Sequence, residues 1–342
     1  MAKAQSTIYD IAALVGLNPS TVSRALSRPE RVSAQTLRKV EDAARQLDYR
    51  VNTVARAVKT GRLQAIGLLV PDITYSIFQD ILRGAERAAR GADYVVLVGE
   101  EVGSAQAELD WARRVQTAVD GLILASPWLE DSDIREVAAA KPLVVVNRIV
   151  EGVPSVMPDV DSGVRAAVAR AAGLGHRRLL YVGGPEGSWM SRHRWEVLEA
   201  ACAEMGIEAA STRANWPTLE GGAALAEAVL ESGCSLAVVF NDLIAIGLLQ
   251  ELQRHGVPVP QRISIIGFDN IRGSDFTSPR LATIGAPLHE LGERAVEALL
   301  AGTDTGAPGA ADREAPSTVS ATPHAGLTTS FYDRGSLGPA GG

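Results

Sequence analysis

Arg24 is the side chain in this sequence best suited to reading a nucleic-acid base, because a guanidinium can donate two hydrogen bonds to a guanine edge. It lies in residues 7–26, TIYDIAALVGLNPSTVSRAL, where Pro19, Ser20 and Ser23 share its face and Val22, Ala25 and Leu26 fall on the opposite one. Ahead of it, Ile8, Ile11, Ala12 and Val15 are spaced i, i+3, i+4, i+7, one apolar helical stripe. Thr7 is placed as N-cap, with Asp10 in capping-box position. Gly16 can end that helix in a left-handed conformation. Asn18 then caps a second helix whose first position is Pro19, where a missing N–H costs nothing. Leu17 and Val22 are spaced as a hydrophobic staple. The pattern predicts two short helices joined by a tight turn, the second of which suits a DNA major groove. An ordinary helical hairpin is the bland alternative.

A third helix opens at Ser33 as cap, with Val32 and Leu37 as staple and Leu37, Val40, Ala44 and Leu47 as inward stripe. Three helices within residues 1–50 make a self-contained headpiece. Residues 49–61, YRVNTVARAVKTG, are short, basic, apolar and Asn-capped, and read as a hinge between domains.

A second set of reactive residues lies beyond a change of texture at position 65. AIGLLVP, YVVLVG, GLILAS and PLVVVN are short β-branched or Leu-rich runs, with Ala-rich helical stretches near 77–90, 105–118 and 132–140. After Asp161 the rhythm restarts with RLLYVGG, SLAVVFN and ISIIGFD and helices near 162–173, 191–205, 219–231 and 243–255. Such alternation predicts βαβ units and buried parallel sheets, in two similar lobes with a cleft between them. In open parallel sheets ligands sit outside the carboxyl ends of the strands. That singles out Asp72, Asn147, Arg148, Asn241, Asp242, Asp269 and Asn270, each of which alone is equally well a cap or turn residue. Residues 288–300 form a last amphipathic helix, 302–317 a surface loop, 319–331 hold a final strand, and 335–342 read as a disordered tail.

Whole-chain numbers narrow the classes. The 342 residues suffice for two or three domains, and 46% hydrophobic with 21% charged is a globular composition. No run of eighteen apolar residues exists, so no membrane span is expected. The start has no basic stretch followed by an apolar one, so no export signal is expected. Cys202 and Cys234 are too few for a disulfide framework and read as small buried hydrophobes. These features predict a cytoplasmic protein. Net charge is −7, yet residues 1–60 hold ten Lys/Arg against five Asp/Glu, +5, leaving 23 against 35, −12, for the rest. A basic head on an acidic body fits a DNA-contacting module on a separate regulatory domain. The five histidines show no metal-ligand spacing, and G-x-S-x-G, a P-loop and a complete G-x-G-x-x-G are missing. An enzyme, a metal site and a bound cofactor are therefore not expected. A periplasmic-type binding protein would explain the cleft but not the basic headpiece.

Taken in order, the motifs resemble the bacterial lactose-repressor-type (LacI/GalR) regulators over nearly the full length. TIYDIAALVGLNPSTVSRALSRPERVSAQTLRKVEDAARQLDYRVN carries the resemblance, with AIGLLVPDI, LGHRRLLYVGGP, VVFNDLIAIGLLQEL, ISIIGFDN and SPRLATI. The resemblance implies a small all-α helix-turn-helix headpiece (1–50), a hinge helix and linker (51–61), and a two-lobed α/β periplasmic-binding-protein-like core (62–334). Residues 63–160 and 288–300 would form one lobe, 161–285 and the last strand the other. It implies a sequence-specific repressor, active as a homodimer or higher oligomer on double-stranded operator DNA. A sugar or nucleoside held between the lobes would control it.

By the same resemblance Pro19, Ser20 and Arg24 occupy base-reading positions, and Thr7, Thr21, Ser23, Asn52 and Lys59 join them on the DNA side. Thr21, Ser23 and Asn52 match positions that contact the DNA backbone. Ala55 and Val58 lie on the hinge helix, Val58 standing where the family usually has a minor-groove Leu wedge. Asp72, Tyr75, Phe78, Arg148, Arg194, Trp216, Asn241 and Asp269 match effector-contacting positions, and Trp189 lies near them. Rings beside Asp, Asn and Arg suit a sugar or nucleoside. Trp128 reads as core packing. Ala286 stands where the family often has Gln, and Val197 where a Gly is common.

Overall fold

The computed structural model describes residues 6–27, 31–49, 61–101, 103–212, 215–304 and 327–341. Asn52, Ala55, Val58 and Lys59 lie outside the described residues, as does most of the expected 302–317 loop. The chain divides into two compact units, Met1–Leu63 and Gln64–Gly342.

The first unit holds three helices, α1 (Ile8–Val15), α2 (Pro19–Ser27) and α3 (Ala34–Gln46). Its local signals act as written in the sequence. Thr7 Oγ1 accepts from the Asp10 N–H while Asp10 Oδ2 accepts from the Thr7 N–H at 2.7 Å, a complete capping box. Gly16 takes the left-handed C-cap at φ +68°, which a residue with a Cβ adopts only at a cost. Asn18 Oδ1 accepts from the Ser20 N–H at 2.9 Å, and Ser33 caps α3 through the Thr36 N–H. Ile11, Ala12, Val22, Ala25, Val40 and Ala43 are buried together, ringed by Ile8, Val15, Leu17, Leu26, Leu37 and Leu47. On α3, Val40 of the expected stripe is buried together with Ala43, which lay outside that stripe, while Ala44 is half-buried.

The second unit has two sheets. The first is built from β1 (Ala65–Val70), β2 (Val95–Glu100), β3 (Gly121–Ala125), β4 (Leu143–Val146) and β5 (Ser155–Val156), in the order β2-β1-β3-β4-β5 and all parallel. Its helices are α4 (Ser76–Gly91), α5 (Ala105–Val115) and α6 (Asp131–Ala140). The second contains β6 (Arg178–Val182), β7 (Glu208–Ser211), β8 (Leu236–Val239), β9 (Ser264–Phe268), β10 (Ala282–Gly285) and β11 (Ser330–Tyr332), in the order β11-β10-β9-β8-β6-β7, with only β10–β11 antiparallel. Around it run α7 (Val160–Gly173), α8 (Trp189–Glu204), α9 (Leu219–Ala223), α10 (Ala226–Glu231) and α11 (Asp242–Arg254). The last helix, α12 (Leu288–Asp304), returns to the first lobe and packs on α4, β3 and β4. Gly84 and Gly292 allow that return: a Cβ at Gly84 would lie 1.9 Å from the His289 carbonyl oxygen, and one at Gly292 2.0 Å from that of Ile81. Chain and lobes thus alternate as the resemblance implied.

Four details depart from expectation. The helix at 219–231 is two, interrupted at Ala224 and Leu225. The final strand covers 330–332 only among the described residues. Strand β2 is not buried: it is an edge, with Val95, Leu97 and Val98 exposed at 61%, 41% and 39%. Finally, residues 335–341 are not a disordered tail. Ser336 Oγ donates to the Ile265 carbonyl at 2.6 Å and accepts from the Ala282 N–H at 2.8 Å, and His176 Nε2 lies 3.0 Å from the Gly338 carbonyl. Ser336 and Leu337 are buried, because their partners come from strands more than fifty residues away.

Candidate functional site

The outward face of α2 is a row of polar groups. Val22 and Ala25 point into its core, while Ser20 and Arg24 are exposed and Pro19, Thr21 and Ser23 half-buried. Thr7 is exposed at the start of α1 and is engaged in its own cap. Tyr9, which sequence reasoning passed over, stands 68% exposed on α1. An aromatic on the polar side of an amphipathic helix was the available signal.

In the second unit the strand ends converge. Tyr75, at the start of α4 in the first lobe, donates its hydroxyl to Asp269 Oδ2 at 2.5 Å, and Asp269 follows β9 in the second lobe. Arg194 of α8 donates to Asp269 Oδ1 at 2.6 Å and, by its other terminal nitrogen, to the Phe240 carbonyl. Its guanidinium lies 4.4 Å from the Phe268 ring centroid and 5.1 Å from that of Phe240. Burial works against that charge, but Asp269 together with Tyr181 and Tyr75 outweighs it and holds the arginine protonated. Burial, then the neighbouring carboxylates Asp269 and Asp242, push the Tyr75 phenol well above its ordinary value, so it donates rather than ionises. Phe78 packs edge-on to Tyr75 at 6.1 Å. Asn241 caps α11, its Oδ1 accepting from the Ile244 N–H at 3.0 Å, while its buried Nδ2 has no partner. A buried amide with spare donors is costly unless something else binds it.

Other expected residues serve elsewhere. Asp72 makes a turn with the Thr74 N–H and hydroxyl at 2.7 and 2.6 Å. Arg148 donates to the carbonyls of Pro127 and Leu129 at 3.0 and 2.6 Å and to Asp131 at 2.6 Å; only its buried Nε has no partner. Trp189 packs on the second lobe's core and stacks on His193 at 4.8 Å. Trp216 is 57% exposed and meets Trp128 at 6.2 Å, which overturns the reading of Trp128 as core packing. Asp242 is a structural residue, accepting from Thr283 Oγ1 at 2.7 Å and the Ile271 N–H at 2.9 Å; burial raises its pKa well above the ordinary value. Asn270 accepts from Arg334, an arginine that sequence reasoning did not place. A solvent-open cleft of about 640 Å³ reaches Asp269 and Ala286, with Asp80, Glu290, Glu293 and Arg294 among its other walls. Sequence reasoning also missed Phe240 and Phe268, which look like plain strand-end hydrophobes until Arg194 lies between them.

Both cysteines are buried and unpaired, as small hydrophobes. Among the described residues no cluster of His, Cys, Asp or Glu is placed to hold a metal ion, and no helix is long and apolar enough to cross a membrane.

Comparison with known proteins covers both units. Residues 7–52 match the bacterial regulatory proteins of the lacI family, and residues 168–325 a periplasmic binding protein-like domain. The HTH-type transcriptional repressor CytR of Escherichia coli (strain K12) is 33% identical over 304 residues, spanning 86% of this chain and 89% of that protein. Among solved structures, the lac repressor dimer bound to operator and the anti-inducer ONPF superposes with TM-score 0.81 at 25% identity, over 97% of this chain and 99% of that one. A LacI family transcriptional regulator from Enterococcus faecium with bound ribose gives 0.67 at 27% identity, over 80% and 99%.

Proposed function

The chain belongs to the LacI family of bacterial regulatory proteins, and from that premise we propose how it works as an effector-controlled repressor. It binds double-stranded operator DNA as a homodimer, and a sugar- or nucleoside-class molecule between the core lobes controls that binding. One observation carries the reading. The Tyr75–Asp269 hydrogen bond joins the two lobes at a buried charge that a ligand's hydroxyls would compete for. A ligand that takes Asp269 from Tyr75 has different affinities for the two lobe arrangements, which is what control requires.

Arg24 reads a guanine edge, Ser20 and Pro19 contribute a weaker contact or shape, and Thr7, Thr21 and Ser23 fix register on the backbone. Tyr9 adds an exposed phenol donor. Asn52 and Lys59 bind phosphate, while Ala55 and Val58 form the hinge's minor-groove face. Arg194, Asn241 and Asp269 hold the effector's polar groups, Tyr75, Phe78 and Trp216 its ring, with Asp72, Arg148 and Trp189 at the margin. The exposed apolar edge of β2 supports the homodimer, since a bare strand edge invites a second copy. The molecule is a cytoplasmic binder without turnover. The headpiece is assigned to 1–50 and the hinge and linker to 51–61, and the core extends through the packed residues 335–341.

The test selects operator sequences from random duplexes with purified protein, then repeats the binding with sugars and nucleosides. A near-palindromic site and a ligand that shifts its affinity are expected; an asymmetric half-site, or indifference to every ligand, would sink the reading.

A further inference from the structure

We propose that Trp128 is an effector-recognition residue, forming with Trp216 an aromatic slot that bridges the lobes and takes the flat heteroaromatic ring of a nucleobase-class ligand. The inference rests on the effector reading above and narrows it. Of the chain's five tryptophans, Trp111 packs on the first lobe's core and Trp189 and Trp195 on the second's. Trp128 and Trp216 pack on none of the hydrophobic clusters among the described residues. They meet each other instead, centroids 6.2 Å apart and planes inclined by 35°. Trp128 comes from the β3–α6 loop of the first lobe, Trp216 from the segment before α9 in the second. Trp216 also overhangs first-lobe backbone: a Cβ at Gly103 would lie 3.1 Å from its ring. Trp216 is exposed and Trp128 half-buried, and large rings kept out of the core mark a binding surface.

The loop beneath Trp128 is held with unusual care. Buried Glu108 accepts from the Trp128 N–H at 2.8 Å and the Leu129 N–H at 3.2 Å. Arg148 grips the Pro127 and Leu129 carbonyls and Asp131 from another side. Burying a carboxyl group, whose pKa burial raises to about 7, and a guanidinium to hold one short loop is costly, and the side chain thereby presented is Trp128. A rigid first jaw favours a ligand of defined thickness. Two stacked layers at about 3.5 Å each need the rings parallel and about 7 Å apart, whereas here they touch each other at an inclination of 35°. A flat base enters once the rings part and turn parallel, whereas a puckered sugar with substituents on both faces needs a wider opening.

The experiment uses full-length protein, with cytidine, adenosine, uridine and ribose as probes, read by tryptophan fluorescence and calorimetry. W128A, W128F and W216A are compared with the parent after their melting curves confirm folding. At least one nucleoside should bind and perturb the fluorescence. W128A and W216A should each weaken it by about tenfold or more, the usual effect of removing a stacked ring, and W128F should stay within about threefold. Ribose binding should respond less than twofold to W128A. Unchanged nucleoside affinity in W128A overturns the role of Trp128. Ribose binding without any nucleoside binding overturns the slot while leaving the effector reading intact. Binding of none of the four overturns the slot too, and the effector reading then falls only if operator affinity ignores every ligand tried.

Discussion

The headpiece and the interlobe cluster place their reactive groups in opposite ways. On α2, Ser20 and Arg24 stand in solvent above a core of six small or medium residues. Between the lobes, Tyr75, Arg194 and Asp269 are withdrawn from solvent and already bonded to one another. The partners proposed for the two regions account for the contrast. DNA brings its own large charged surface and desolvates whatever it covers, so the protein need only present donors on a scaffold. A small molecule has few atoms, so the protein must supply a dry and ordered surround in advance. The headpiece groups are therefore dispensable for stability and the cluster groups are not.

Four experiments would break or sharpen that contrast. The largest effect is expected from Asp269→Ala, which strands the Arg194 guanidinium in a buried site. It should cost the core about 3–5 kcal/mol in urea unfolding, besides removing effector binding. An unfolding midpoint equal to the parent's would show that the cluster is solvated. Next come two identical truncations at equally buried sites, Ile11→Ala in the headpiece and Ile66→Ala in β1. Each should cost about 2–5 kcal/mol. The small headpiece buries too little to absorb that and should unfold, abolishing operator binding while the core transition remains in calorimetry. Ile66→Ala should only lower the core transition. A headpiece that tolerates Ile11→Ala would contradict the idea that it is marginal.

Third, Arg24→Ala should leave the melting temperature alone and remove about 1–3 kcal/mol of discrimination at one base pair per half-site, seen by competition among operator variants. A uniform loss over all sequences would make Arg24 a phosphate contact. The smallest effect concerns His176, buried between Ser235 Oγ at 2.8 Å and the Gly338 carbonyl. Burial, opposed in part by that carbonyl, lowers its pKa from 6.5. The unfolded chain then takes up a proton at higher pH than the folded one, so stability present above pH 6.5 is lost as pH falls through the lowered value. Melting followed from pH 7.5 downward should show this acid slope, and His176→Gln should flatten it; the same slope in both proteins would assign it elsewhere.

Legibility in the sequence tracked the range of the interactions. The Thr7–Asp10 box, the Gly16 C-cap, the Asn18 and Ser33 caps and the stripe Ile8, Ile11, Ala12, Val15 involve partners within a turn or two, and all are found as read. Strand runs and their helices were legible for the same reason, to within a few residues at most ends. Two readings failed together at longer range. Ser336 and Leu337 looked like tail because their partners, Ile265, Ala282 and Arg280, lie 54 to 71 residues away in the chain or are equally unmarked. The run at β2 looked buried because apolar composition does not say whether a strand is central or at an edge.

Family resemblance put Tyr75, Arg194 and Asp269 on one roster without saying what each would touch. Periodicity, caps and breakers alone determined the headpiece, the two α/β sets and the strand ends, because those depend on backbone geometry that neighbouring residues enforce. Tertiary structure alone decided that Tyr75 reaches Asp269 across 194 positions, that Arg148 turns away to hold a loop, and that Trp128 faces Trp216. Those pairings depend on how two separately folded sheets bring their carboxyl ends together, and no local pattern carries that distance.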